Sequence, residues 1–175
     1  MKAMLKSSWK CVDMTQIREE RSLHRGLYIW VFHWDKIPHL GLSLDGKYFS
    51  TTLFGNQLGE ETDKFFRLAK RKMIPCFLIK LDENQFQNLN FESLLQEFNT
   101  DLSTAETCLY PIKKVLSLDH EKMDTLVQLI VQLEKNATIS AYLTIQAVQE
   151  ISLNAYCKND VLEMINKQLK HATRE

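Results

Sequence analysis

The first 25 positions are polar and weakly patterned, and the character of the chain changes at Gly26. Leu27-Tyr28-Ile29-Trp30-Val31-Phe32-His33-Trp34 is a run of strand formers, apolar on both faces, which predicts a central strand covered on both sides. Lys36-Ile37-Pro38 breaks the run, and Pro38, with no N–H to give a ladder, suits the start of the next strand. From His39 to Asp45 the chain alternates: Leu40, Leu42 and Leu44 take one face, His39, Gly41 and Ser43 the other. Asp45-Gly46 is a two-residue hairpin signal, because a type I′ turn needs positive φ at both central residues. With that loop Leu44 pairs with Lys47, Gly41 with Ser50 and His39 with Thr52. Phe49 and Leu53 then join the leucine face, while Tyr48, Ser50 and Thr52 join His39. A three-residue loop would change the register.

Residues 55–59 read as loop and 60–72 as a helix with Phe65, Phe66, Leu68 and Ala69 on its apolar side. Residues 74–81 read as a strand, with Pro75 marking either an edge position or the strand's beginning. The Asn- and Gln-rich stretch 83–90 reads as loop and 91–98 as a short helix. Ser103 and Glu106 fit a capping box. Pro111 would kink a helix begun there, so a turn at 103–106 and a helix starting at Thr107 is preferred. Met123, Leu126, Val127, Ile130 and Leu133 follow helical spacing; Ile139, Tyr142, Leu143, Val148 and Ile151 mark a further helix. Asn159 or Asp160 caps a last helix carrying Leu162, Ile165 and Leu169. The expectation is one α+β domain over residues 1–175. It has a leader at 1–25, a small antiparallel sheet within about 27–81, and a helical half over 91–173 packed against it.

Composition adds few constraints. At 175 residues, 45% hydrophobic and 25% charged, the chain is an ordinary globular sequence that needs no metal or disulfide to fold. Twenty-two basic residues balance 22 acidic ones, so no global field draws in nucleic acid or an anionic membrane. The best local basic patch is Lys64, Arg67, Lys70, Arg71 and Lys72, which also reads as a solvated helix face. No early apolar stretch resembles a signal peptide, and the run at 27–34 is far shorter than the about 20 residues of a spanning helix. A cytoplasmic, soluble chain without membrane or nucleic-acid partners is expected. Cys11, Cys76, Cys108 and Cys157 form no CxxC pair and should be free thiols there.

A thiol hydrolase needs a cysteine with a lowered pKa and a base within hydrogen-bond reach. Cys108, in the first turn of a helix begun at Thr107, has a candidate activating site; the other reading is a small buried hydrophobe. His39 is the best base, on a face of small or hydroxylated neighbours, or else a histidine satisfied at a sheet end. Thr52 or Ser50 could orient the imidazole. His33 fits a core histidine, and Cys76 fits packing. The sequence has no GxGxxG, P-loop, GxSxG or metal-ligand spacing, so no cofactor or metal is expected.

His39-Leu40-Gly41-Leu42-Ser43, the hairpin through Asp45-Gly46 to Tyr48-Phe49-Ser50, and Thr107-Cys108-Leu109 together resemble the circularly permuted papain-like hydrolases of the NlpC/P60 group. The resemblance spans roughly residues 27–116. It implies Cys108 as nucleophile, His39 as base and Thr52 or Ser50 as orienter, acting on an amide or thioester of a small molecule or peptide. The alternative class is a non-catalytic interaction or ligand-binding domain. Its face would be Tyr28, Trp30, Phe32 and Trp34 if that strand is exposed, or its helices over 120–170 would build a homo-oligomer surface.

Overall fold

The computed structural model describes residues 8–99, 107–118, 122–154 and 156–172. Its strands are β1 (Trp9–Cys11), β2 (Thr15–Gln16), β3 (Leu27–Phe32), β4 (His39–Leu44), β5 (Lys47–Ser50), β6 (Gln57–Glu61), β7 (Cys76–Leu81), β8 (Ile139–Thr144) and β9 (Ile151–Leu153). Its helices are α1 (Thr62–Arg71), α2 (Phe91–Phe98), α3 (Leu109–Val115), α4 (Leu126–Lys135) and α5 (Lys158–Ala172). Seven strands form one sheet in the order β2-β8-β7-β3-β4-β5-β6, and β1 pairs with β9 apart from it. Within the large sheet β2–β8 is parallel and the other pairs are antiparallel, which makes the architecture α+β.

The run that is apolar on both faces becomes β3, bonded to β4 on one side and β7 on the other, with all six residues buried. The sheet therefore carries a core on each face. Ile29, Val31, Leu40, Leu42, Phe49 and Phe77 face α2, α3 and α4. Trp30, Phe32, Tyr48 and Leu78 face Phe66 and Ala69 of α1. Burying Trp30 strands an indole N–H, and Ser43, its face-mate one strand over, accepts it at 2.8 Å. Because Tyr28, Trp30 and Phe32 lie under α1, the expected aromatic binding face is core instead.

The Asp45-Gly46 hairpin forms with φ of 47° and 79°, and Leu44 pairs with Lys47. The Asp45 carboxylate accepts the Gly26 N–H at 3.0 Å, which holds the turn to the start of β3. The β4–β5 ladder stops at Leu42–Phe49, so the expected Gly41–Ser50 and His39–Thr52 pairs are absent from it. On the α1 side the Tyr48 ring fills the space above Gly41: a Cβ at Gly41 would stand 2.2 Å from the phenol oxygen and 2.4 Å from Cζ. Only glycine fits beneath that ring.

Three expectations are corrected. Residues 139–151 hold strands β8 and β9, not a helix. The β7–β8 register shifts between Lys80 and Leu81, skipping Ser140 and turning Ile139 to the same core as Tyr142. That bulge gives the strand a three-residue apolar spacing that imitates a helix. Residues 57–61, read as loop and helix start, are edge strand β6; Gly59 (φ 87°) is its bulge residue, with the Phe91 ring 2.6 Å from where a Cβ would stand. The stretch called a leader supplies β1, β2 and the 3-10 turn Glu20–Leu23, with Trp9 and Leu23 buried. Pro75 marks the beginning of β7, which is internal to the sheet. Ser103 and Glu106 lie outside the described residues; α3 begins at Leu109, with Pro111 in its first turn.

Candidate functional site

β4 alternates across the sheet, and the two candidate catalytic groups pack against different neighbours. Leu40 belongs to the core beneath α2, α3 and α4, and Cys108, at the N-cap of α3, packs against the same core. His39, one residue away along β4, points to the other face. There its ring stacks on Phe32 with centroids 6.3 Å apart, beside the Phe32–Tyr48 contact at 6.2 Å. Phe32 and Tyr48 are members of the core under α1. Among the described residues no hydrogen bond joins Cys108 to His39. The thiol instead receives the Leu40 backbone N–H, and burial pushes its pKa up to about 11. The same effect runs the opposite way at His39: burial, with His33 as a neighbouring like charge, pulls the imidazole down to about 4. Both groups are held neutral, the reverse of a thiolate–imidazolium pair.

The helix adds little activation at Cys108. α3 runs only from Leu109 to Val115, and the Cys108 side chain makes no cap bond. The residues expected to orient His39 are engaged elsewhere. The Thr52 hydroxyl donates to the Gly55 carbonyl and accepts the Phe54 N–H at 3.3 Å, closing its own turn. Ser50 is buried, and its hydroxyl bonds the Tyr48 phenol. Cys76 is a sealed core thiol whose pKa burial raises far above the ordinary value. His33, expected in the core, is exposed at φ 56° just after β3, and its backbone N–H donates to the Pro75 carbonyl at 2.6 Å. On α1, Lys64 pairs with Glu60, and Arg67 with Glu20 (3.2 Å) and Asp63 (3.4 Å), so two of the five cations of the basic patch are neutralised.

A small hollow of about 70 Å³ lies beside Cys108, lined by Thr107, Leu109 and Lys113 among others, and larger concave surfaces lie elsewhere. The turn Glu83–Phe86 and the loop after it form one wall of a groove whose other walls are α2, α3 and the α4–β8 junction. Two cavities of about 290 and 410 Å³ adjoin there, sharing Gln85, Phe86 and Leu116. Leu89, Leu116, Leu118 and Leu133 give the groove apolar surface; Gln87, Asn88, Ser93 and Asn136 give it amides and a hydroxyl. Its charged groups, Lys114 and Glu97, pair at 3.6 Å and cancel. The Tyr110 side chain first, and Glu97 next, raise the Lys114 pKa and keep it a cation. Gln85 fixes the wall by donating to the Ala137 carbonyl at 3.1 Å and to Asp82 at 3.4 Å. No cysteine or histidine lines either cavity among the described residues. Sequence reasoning passed over this region as a loop; its amide-rich composition was the available signal.

Among the described residues no group of three or more His, Cys, Asp or Glu side chains could hold a metal ion, and no helix is long and apolar enough to cross a membrane. No protein-family model, curated protein or solved structure matches the chain.

Proposed function

We propose that this protein is a non-catalytic binding domain, and that the Cys108–His39 pair implied by the hydrolase resemblance does not operate as a dyad. One observation carries the reading: the Cys108 thiol takes the Leu40 backbone as its partner, while the His39 ring stacks on Phe32. A dyad needs a nucleophile and base within about 3 Å of one another and charge-favouring surroundings. Here each group makes its contacts without the other, and each is desolvated toward its neutral form. A papain-like hydrolase, cleaving amides or thioesters through Cys108, is the competing reading.

Alkylation of each thiol as a function of pH, read by mass spectrometry in wild type and in His39→Ala, separates the two. With its pKa near 11 rather than 9.0, Cys108 should carry about 100-fold less thiolate at neutral pH than an ordinary thiol. The expected result is slow labelling of Cys108 that does not depend on His39. Fast labelling near pH 7 that slows in the variant restores the hydrolase.

A further inference from the structure

We infer that the exposed C-terminal end of α1 docks on an anionic lipid surface, with Arg18, Lys70, Arg71 and Lys72 supplying the charge and Leu68 and Met73 the apolar contact. This goes beyond the binding reading above and does not depend on the state of Cys108. Helix geometry places these groups together. Phe66 and Ala69 turn α1 toward the sheet, so its opposite face carries Lys64, Leu68, Arg71 and Lys72. Residues three and four apart are neighbours on a helix surface, and Leu68 therefore stands among Lys64, Arg71 and Lys72. The charge divides along the helix. At its start Glu60, Asp63 and Glu20 are bound to Lys64 and Arg67. At its end, among the described residues, no carboxylate pairs with Arg18, Lys70, Arg71 or Lys72. Lys70 donates to the Arg18 carbonyl at 3.4 Å, which brings the Arg18 backbone to the same end. The negative end of the helix dipole is equivalent to about half a charge and balances at most one of the four cations. In a chain whose 22 basic and 22 acidic residues cancel, this excess is local, and it suits a surface of negative charge.

Met73 separates a membrane from other polyanions. It is 71% exposed and takes the left-handed position after α1 at φ 51°, the place glycine usually fills. Both bonds of that helix terminus are made, Ile74 N–H to the Ala69 carbonyl at 2.9 Å and Met73 N–H to the Lys70 carbonyl at 3.4 Å. After α3 and α4 the same position holds the smaller residues Ser117 and Ala137. Here a long apolar side chain is projected into water just after three cations. Gln146 pins the backbone beneath it by donating to the Ala69 and Ile74 carbonyls at 3.2 and 2.7 Å. Leu68 adds a second apolar tip, 37% exposed. Apolar tips within a cationic surface suit the boundary between lipid headgroups and acyl chains. A single-stranded nucleic acid would need aromatic rings to stack on, and Phe65 and Phe66 are packed on Tyr48 and in the core.

The test is sedimentation of the full chain with vesicles of phosphatidylserine and phosphatidylcholine in about equal parts, with phosphatidylcholine vesicles and a mixed-sequence single-stranded RNA as controls. The expected result is saturable binding to the anionic vesicles that falls as salt rises, and none to phosphatidylcholine alone. Each cation near such a surface multiplies the affinity about fivefold, so Arg71→Gln with Lys72→Gln should weaken binding about 25-fold. Met73→Gly should weaken it severalfold while leaving urea stability equal or higher, because glycine holds φ 51° without a Cβ. Lys158→Gln with Lys167→Gln, exposed cations of α5, should change binding little. No binding to the anionic vesicles, equal binding to both lipids, indifference to the Arg71 and Lys72 changes, or an equal loss from the α5 pair overturns the assignment. So does an unaltered affinity of Met73→Gly, or RNA binding tighter than vesicle binding, either of which makes this end of α1 a general polyanion surface.

Discussion

Replacing His39 by glutamine should remove most of the acid sensitivity that this one side chain gives the fold. In the folded protein the imidazole stacks on Phe32, desolvated, and its pKa falls from 6.5 to about 4. In the unfolded chain it regains the ordinary value, so between those limits the unfolded state binds the proton and the folded state refuses it. Stability from the neutral imidazole is therefore fully present above pH 6.5 and is lost progressively as pH falls toward 4. One pKa unit corresponds to about 1.4 kcal/mol, so the loss is about 2 kcal/mol at pH 5 and about 3 kcal/mol once pH is below 4. Urea denaturation followed by tryptophan fluorescence at pH 7.5, 6 and 5 measures this. Carboxylates titrate equally in both proteins, so the comparison isolates position 39: wild type should lose about 2 kcal/mol more than His39→Gln between pH 7.5 and 5. Parallel losses in the two proteins would refute the reasoning, because they would mean that the imidazole takes its proton in the folded state as readily as in water.

Other substitutions test the packing around it. Gly41→Ala drives a methyl to within 2.2 Å of the Tyr48 phenol and should cost about 1–3 kcal/mol by denaturation; adding Tyr48→Leu, which shortens the obstructing side chain, should make the second alanine step much cheaper in a double-mutant cycle. Ser43→Ala leaves the buried Trp30 indole N–H without its acceptor, for a loss of about 1–3 kcal/mol with a change in tryptophan emission. Thr125→Ala breaks the capping box that Thr125 and Gln128 make at the start of α4, and should lower stability by about 1 kcal/mol.

Where local chemistry decides the outcome, the chain was legible. β3 follows from an apolar run too dense to leave either face wet, the Asp45-Gly46 turn from its need for positive φ, and the short helix read over 91–98 forms as α2 at those bounds. Two of the misreadings, at residues 57–61 and 139–151, have one physical source, which is bulges. Ser140 and Gly59 each insert a residue into a ladder, and the shift breaks the period of two that identifies a strand. The candidate site divides in the same way. That His39 and Leu40 face opposite directions is written into β4 itself, but which face receives α3 is a long-range packing choice, and no residue near Cys108 announces it. The groove was hidden for a related reason: its walls come from four separate parts of the chain, and amide side chains in a loop are uninformative until the fold brings apolar surfaces of α3 and α4 against them.

The central claim is that Cys108 stands as an isolated neutral thiol with no imidazole partner. Thiolate absorbance near 240 nm, taken as the difference between wild type and Cys108→Ser across a pH titration, measures this directly. The account predicts no Cys108 signal at neutral pH and a step approaching pH 11, unchanged by His39→Ala. A step at or below neutral pH that moves upward when His39 is removed would contradict it and make Cys108 the nucleophile of an enzyme.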